Sequence, residues 1–82
     1  MNFSEALEWL KAGEQVYREA WNAEGIVVQL QQPDPHSKMI NPYLYVDTTE
    51  STSKTKTRVP WLPSQTDILA EDWSMVETKG QG

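Results

Sequence analysis

The sequence predicts an α+β domain, with a small antiparallel sheet, an N-terminal helix and a short helix before the last strand. Three observations carry that prediction. Apolar residues recur at helical spacing only near the N-terminus, in Phe3, Ala6, Leu7 and Leu10. From Gln15 onward, β-branched and aromatic runs alternate with Pro, Gly and Asn turns. A Pro63-Ser64 helix start then precedes one final apolar run at Trp73.

The first helix spans Phe3 to Gly13. Ser4 is read as its N-cap, Glu5 and Glu8 complement the positive end of the dipole, and Lys11 complements the negative end. Gly13 suits the left-handed position that closes it. Gln15 to Ala20 has strand composition, and Trp21-Asn22-Ala23-Glu24-Gly25 is a turn in which Asn22 and Gly25 tolerate positive φ. Ile26 to Gln31 is a clear strand, ended by Pro33 and Pro35. Met39 to Val46 is the next, with Tyr43 and Tyr45 on one face and Leu44 and Val46 on the other. Asp47 to Thr57, rich in Thr, Ser and Lys, reads as a hairpin tip that is mobile or extends an edge. Arg58-Val59 leads into the Pro60-Trp61-Leu62-Pro63 corner. Ser64 as N-cap with Asp67 three residues on then makes a variant capping box. Asp72 to Glu77 is the closing strand.

Size and charge narrow the function. Eighty-two residues make one domain with a modest core, so association with further copies is a natural source of buried area. The absence of cysteine excludes disulfides and thiolate metal sites. A net charge of −5 argues against binding of duplex DNA or RNA, yet permits a small nucleotide. No apolar stretch approaches the roughly 20 residues of a membrane span. The N-terminus also lacks signal-peptide character, so a cytosolic protein is expected.

Catalytic machinery is hard to assemble. The single histidine, His36, sits in a loop, and no carboxylate or histidine set has metal-ligand spacing. Neither an enzyme nor a metal or cofactor site is expected. Binding chemistry is better supplied. Trp61 stands between two prolines that restrict its backbone, and Trp21 stands at a turn. Such rings can stack on a base, each worth about 1–3 kcal/mol. Ser64, Gln65 and Thr66 open the short helix, where N–H groups favour phosphate, although Ser64 and Asp67 satisfy simple capping by themselves. Asp67 is suited to capping or to ribose hydroxyls. Arg18 and Arg58 are candidate phosphate partners, with Lys54 and Lys56 weaker ones. Trp9 and Trp73 are read as structural.

Three blocks carry a family resemblance: Asn2-Phe3-Ser4-Glu5-Ala6-Leu7-Glu8, Val16-Tyr17-Arg18-Glu19-Ala20-Trp21-Asn22, and the run from Val59 to Trp73. In this order they resemble the signature blocks of the phage Thoeris anti-defence protein 2 family. The resemblance implies a sponge that binds cyclic ADP-ribose isomers (glycocyclic ADP-ribose) made by bacterial TIR-domain enzymes, leaves them intact, and acts in the cytoplasm of the host cell. It also implies a homotetramer with pockets between protomers, and in some members a separate site for cyclic dinucleotides. Carried over, Trp21 and Trp61 become base-stacking or pocket-wall residues. Asn22, Ser64, Gln65, Thr66 and Asp67 become polar contacts. Residues 1–78 then form a single ligand-sequestering domain, with 79–82 a flexible tail. Two departures from the family pattern stand out: Pro63 replaces a small residue, and Thr48 to Thr57 is longer and more polar than the usual turn. A protein-interaction module of a phage or prophage is the alternative, motivated by the acidic surface and the Pro-Trp-Leu-Pro corner. A nucleotide hydrolase is the least supported reading.

Overall fold

The computed structural model describes residues 1–21, 25–36, 38–52, 54 and 56–76. Helix α1 (Phe3–Lys11) forms because its apolar side chains share one face and its first turn is closed by a capping box. The cap is Asn2, not Ser4. Asn2 Oδ1 accepts the Glu5 N–H at 2.9 Å, and Glu5 Oε1 accepts the Asn2 N–H at 3.0 Å. Asn2-Phe3-Ser4-Glu5 is itself a capping-box pattern, so the two-residue displacement follows from Glu5 choosing its reciprocal partner. The helix ends at Ala12, followed by Gly13 at φ +95°, as the left-handed cap requires.

Five strands follow: β1 (Val16–Arg18), β2 (Val27–Gln31), β3 (Tyr43–Asp47), β4 (Arg58–Pro60) and β5 (Trp73–Met75), with helix α2 (Gln65–Leu69) between the last two. They form one sheet in the order β4-β3-β2-β1-β5, every neighbouring pair antiparallel. The strands are shorter than their compositions suggest. Met39 to Pro42 stays outside β3, and Pro42 has no N–H to give to a ladder. Glu77 and the expected tail lie outside the described residues.

Register decides what each face is made of. Val16 stands opposite Val28 and Met75, Val28 opposite Val46, and Val46 opposite Val59, so one apolar row crosses all five strands. A second row joins Leu30 to Leu44, and the Trp61 N–H extends it by donating to the Leu44 carbonyl at 2.9 Å. By the two-residue period of a strand these rows share a face, and α1 packs on that face over β1, β2 and β5. Ala6, Leu10, Val16, Val28 and Trp73 are the fully buried core, and Phe3, Leu7, Leu30, Leu44, Trp21 and Trp61 pack around it. Burying Leu10, Val16 and Val28 contributes about 1.5–3 kcal/mol each.

The opposite face carries Tyr17, Gln29, Gln31, Tyr43 and Tyr45. There Gln29 Oε1 accepts from Gln15 Nε2 at 3.2 Å and from the Tyr45 hydroxyl at 2.9 Å. At the outer edge of β5, Met1 lies alongside Trp73, with N–H to carbonyl distances of 2.8 and 3.1 Å.

Trp9 is 42% exposed and flanks the buried Ala6–Leu10 stripe of α1, as expected. The segment after β3 contains a folded turn. Thr48 and Thr57 pair through backbone and hydroxyl, Asp47 Oδ1 accepts the N–H and hydroxyl of Thr49, and Ser51, only 6% exposed, donates to the Thr48 carbonyl. Short polar side chains that bond their own backbone build that turn without apolar burial.

Candidate functional site

Trp73 organises the region around the candidate residues. Its indole is 1% exposed, and its N–H donates to the Asp67 carbonyl at 2.9 Å, so the buried ring has its polar atom satisfied by α2. Trp21 and Trp61 meet it edge-on, with centroids at 5.6 and 5.8 Å and both interplanar angles 80°. Phe3 completes the cluster at 5.4 Å from Trp73 and 6.1 Å from Trp61. The two tryptophans expected to bind ligand are therefore both half-buried and stand on either side of Trp73.

Beside this cluster Arg18 ties β1 to α2 and to the approach of β5. Its Nε donates to Asp72 Oδ1 at 2.8 Å and its Nη1 to Asp67 Oδ1 at 3.0 Å, with the arginine side chain only 14% exposed. The second oxygen of Asp72 accepts the Ala20 N–H at 2.9 Å. That of Asp67 accepts the Ser64 N–H at 3.1 Å, while Ser64 Oγ accepts the Asp67 N–H at 3.1 Å. The pKa directions follow. Hydrogen bonds donated to Asp72 and then to Asp67 raise Arg18 above its ordinary value. The Arg18 guanidinium is the main cause holding Asp72 below the usual carboxylate range. Burial by itself would raise Asp67, but the Ser64 N–H, Arg18 and the Ser64 hydroxyl together bring it down. Arg18 thus already has two carboxylate partners, and Asp67 caps a helix while pairing with it.

A half-open cavity of about 680 Å³ lies next to Arg18, lined by residues of β1, the β1–β2 turn, β2 and the turn after β3. Trp21, Tyr17, Ile26 and Val27 give it apolar and aromatic wall; Gln15, Arg18, Glu19, Asp47 and Glu50 give it polar wall. A volume in this range, part apolar and part polar, matches small-molecule sites. Three carboxylates and one already paired guanidinium make its charge acidic, which favours hydrogen-bond donors such as ribose hydroxyls and exocyclic amines over phosphate. Asp47 is held ionised: burial works against it, but the Thr49 hydroxyl, Arg58 at 2.8 Å and the Thr49 N–H lower its pKa.

Of the sequence-selected residues, the structure brings Trp21 and Arg18 to the cavity wall. Asp67 joins them indirectly, through Arg18. Trp61 is not among the lining residues, and Ser64, Gln65 and Thr66 are exposed at the start of α2. Ser64 and Asp67 close the expected capping box. Asn22 lies outside the described residues. Arg58 pairs with Asp47, and the Lys56 ammonium donates to the Ser51 carbonyl. Sequence reasoning missed Tyr17, Gln15, Asp47 and Glu50 as wall residues. Alternation in β1 puts Gln15 and Tyr17 on the face away from α1, but only the pairing of β3 with β2 and the folded turn after β3 bring Asp47 and Glu50 to them. Among the described residues no cluster of His, Asp and Glu could hold a metal ion, and no helix is long and apolar enough to cross a membrane.

Comparison with known proteins covers nearly the same span as the folded unit. The family model for the Thoeris anti-defense 2-like domain matches residues 1–76. Thoeris anti-defense 2 of Bacillus phage SP01 is 37% identical over 84 residues, which covers 93% of this chain and 94% of that protein. Helix, antiparallel sheet and short helix before the last strand all fall inside the matched segment. The chain belongs to the Thoeris anti-defense 2-like family, a family of phage anti-defence proteins.

Proposed function

We propose that this protein binds and sequesters TIR-derived cyclic ADP-ribose signals, glycocyclic ADP-ribose in particular, in the cytoplasm of the infected bacterium, without cleaving them. The observation that carries this reading is the cavity of about 680 Å³ walled by Trp21 and Tyr17 in a chain of an anti-defence family. The aromatic wall suits a nucleobase, and the carboxylates suit ribose hydroxyls and the exocyclic amine. The diphosphate then faces the mouth and not the acidic wall. Trp61 and Ser64 to Asp67 would reach ligand from a neighbouring protomer, and Asn22 would add a polar contact. Sequestration needs tight holding and no bond cleavage, so a cavity without a nucleophile–base pair is sufficient for it.

A homotetramer is part of this proposal. Leu62 is 91% exposed, Leu69 76% and Ile68 46%, an apolar group around α2 of the kind that subunits bury on association. The same group motivates the second reading, a protein-interaction module without nucleotide ligand. Cyclic dinucleotides are a further ligand class to be tried on the same protein.

The test is retention and release. Protein is incubated with glycocyclic ADP-ribose, freed of unbound ligand and heat-denatured, and the supernatant is analysed. Intact signal recovered in stoichiometric amount is the expected result; ADP-ribose or smaller fragments would make the protein an enzyme. Retention of neither, together with a co-purifying host protein, would favour the interaction module. Trp21→Ala should weaken retention by about five- to 150-fold at unchanged oligomer size, given about 1–3 kcal/mol per stacked base.

A further inference from the structure

Gly25 holds the turn after β3 against the turn before β2. It adopts φ +86°, and a Cβ there would meet the Glu50 carbonyl oxygen at 2.6 Å and Ser51 Cα at 2.7 Å. Both neighbours are backbone, so no side-chain rotation can make room, and the positive φ disfavours any L side chain independently. Ser51 is 6% exposed at this contact, anchored by its hydroxyl to the Thr48 carbonyl at 2.7 Å and approached by the Lys56 ammonium. The connection is therefore seated on Gly25. Seated so, it supplies Glu50 to the cavity, beside Asp47 at the end of β3 and opposite Trp21, Tyr17 and Arg18.

The two carboxylates differ. Asp47 is 8% exposed and occupied by Thr49 and Arg58. Glu50 lies on the exposed side of the turn yet still lines the cavity, so its charge meets a ligand on the way in. We propose that the β3–β4 connection, seated on Gly25, is the specificity wall of the cavity. Glu50 on it screens ligands by phosphate load, admitting nucleotides that turn a base or ribose inwards and disfavouring otherwise similar ones with an additional phosphate. This rests on the cavity being the nucleotide site argued above. Discrimination by a misplaced like charge needs no contact with the accepted ligand.

The experiment measures affinity by calorimetry for glycocyclic ADP-ribose and for the matched pair ADP-ribose and 2′-phospho-ADP-ribose, on the full chain and on Glu50→Gln and Glu50→Lys. Glu50 is exposed, so both variants are expected to fold. The preference against the extra phosphate should fall about threefold in Glu50→Gln and about tenfold in Glu50→Lys at low salt, and the differences should shrink as salt is added. Gly25→Ala should weaken glycocyclic ADP-ribose binding and, combined with Glu50→Lys, should cancel the effect of the lysine. Such coupling would not arise if Gly25 only stabilised the fold. A preference unchanged within twofold in both Glu50 variants, with glycocyclic ADP-ribose still bound, overturns the proposal and leaves the sequestration reading intact. Failure of 2′-phospho-ADP-ribose to bind Glu50→Lys, when glycocyclic ADP-ribose binds it, overturns it too. Loss of glycocyclic ADP-ribose binding in the unaltered protein removes both.

Discussion

The two flanks of the sheet use the same chemistry at different strengths. On the β1–β5 flank, Arg18 is 14% exposed and bridges Asp67 and Asp72, which lie 49 and 54 residues further along the chain. On the β3–β4 flank, Arg58 is 64% exposed and pairs with Asp47 only 11 residues away, across a hairpin neck that Thr48 and Thr57 already close. The first pair joins elements that nothing local holds together, and it does so beside the buried indole of Trp73. The second decorates a turn that its backbone and threonines have made. A guanidinium–carboxylate distance of 2.8 Å occurs in both, so distance alone does not rank them. Exposure and the sequence separation being closed do.

The contrast is broken most severely at Trp73. Trp73→Ala removes the ring on which Phe3, Trp21 and Trp61 rest and leaves the Asp67 carbonyl with only the Ala70 N–H at 3.4 Å. The expected loss is about 3–5 kcal/mol. A domain of this size holds about 4–12 kcal/mol in all. Urea unfolding should therefore show a chain that is barely folded or unfolded in buffer. A loss near 1 kcal/mol would mean the cluster is held from elsewhere.

Arg18→Met keeps much of the stem and deletes the charge. Two carboxylates then lose a partner in a part-buried setting, so a destabilisation of about 2 kcal/mol is expected. The variant also sharpens the comparison through pH. Asp67 and Asp72 have folded-state pKa values below the ordinary carboxylate value. Their stabilisation is full above the unfolded value of about 3.9 and is lost as pH falls through the lower folded values. Acid unfolding of the parent should thus steepen below about pH 4, and Arg18→Met should flatten that limb. Carboxyl NMR titration should find Asp72 moved more than Asp67, since Arg18 is the main cause for Asp72 while the Ser64 N–H outranks Arg18 for Asp67. Equal movement of the two would put the Ser64 cap in doubt.

What the sequence discloses and what it hides divides along the same line. Local periodicity exposes Ala6 and Leu10 as core, β-branching exposes Val28, and Ser64 with Asp67 exposes the capping box. Each of those signals is complete within a few residues. The pairing of β1 with β5, the Arg18 bridges and the approach of Gly25 to Glu50 are set by how the chain closes over long separations. No local pattern encodes them. The tryptophans show the limit well: Trp9 and Trp73 both adjoin apolar runs, yet one is 42% exposed and the other 1%. Helical phase sets Trp9 beside the Ala6–Leu10 stripe, whereas the face that Trp73 takes depends on the register of β5, which the composition of its run leaves open.

The smallest effect belongs to Arg58→Met. Arg58 donates to Asp47 from an exposed position, and Asp47 keeps the Thr49 hydroxyl at 2.6 Å and the Thr49 N–H at 2.8 Å when the guanidinium is gone. Burial would raise Asp47, and the Thr49 hydroxyl, Arg58 and the Thr49 N–H bring it down, so Arg58→Met should raise the Asp47 pKa while leaving the carboxylate its two Thr49 contacts. The thermal midpoint should barely move, and the little that is lost should disappear at high salt, as for other exposed pairs. Thr49→Val in the same background should then raise the Asp47 pKa again, because it removes a further contact. If Arg58→Met instead matches Arg18→Met in stability, the hairpin neck is not closed by its own threonines. The two flanks would then be equivalent in strength despite their difference in exposure.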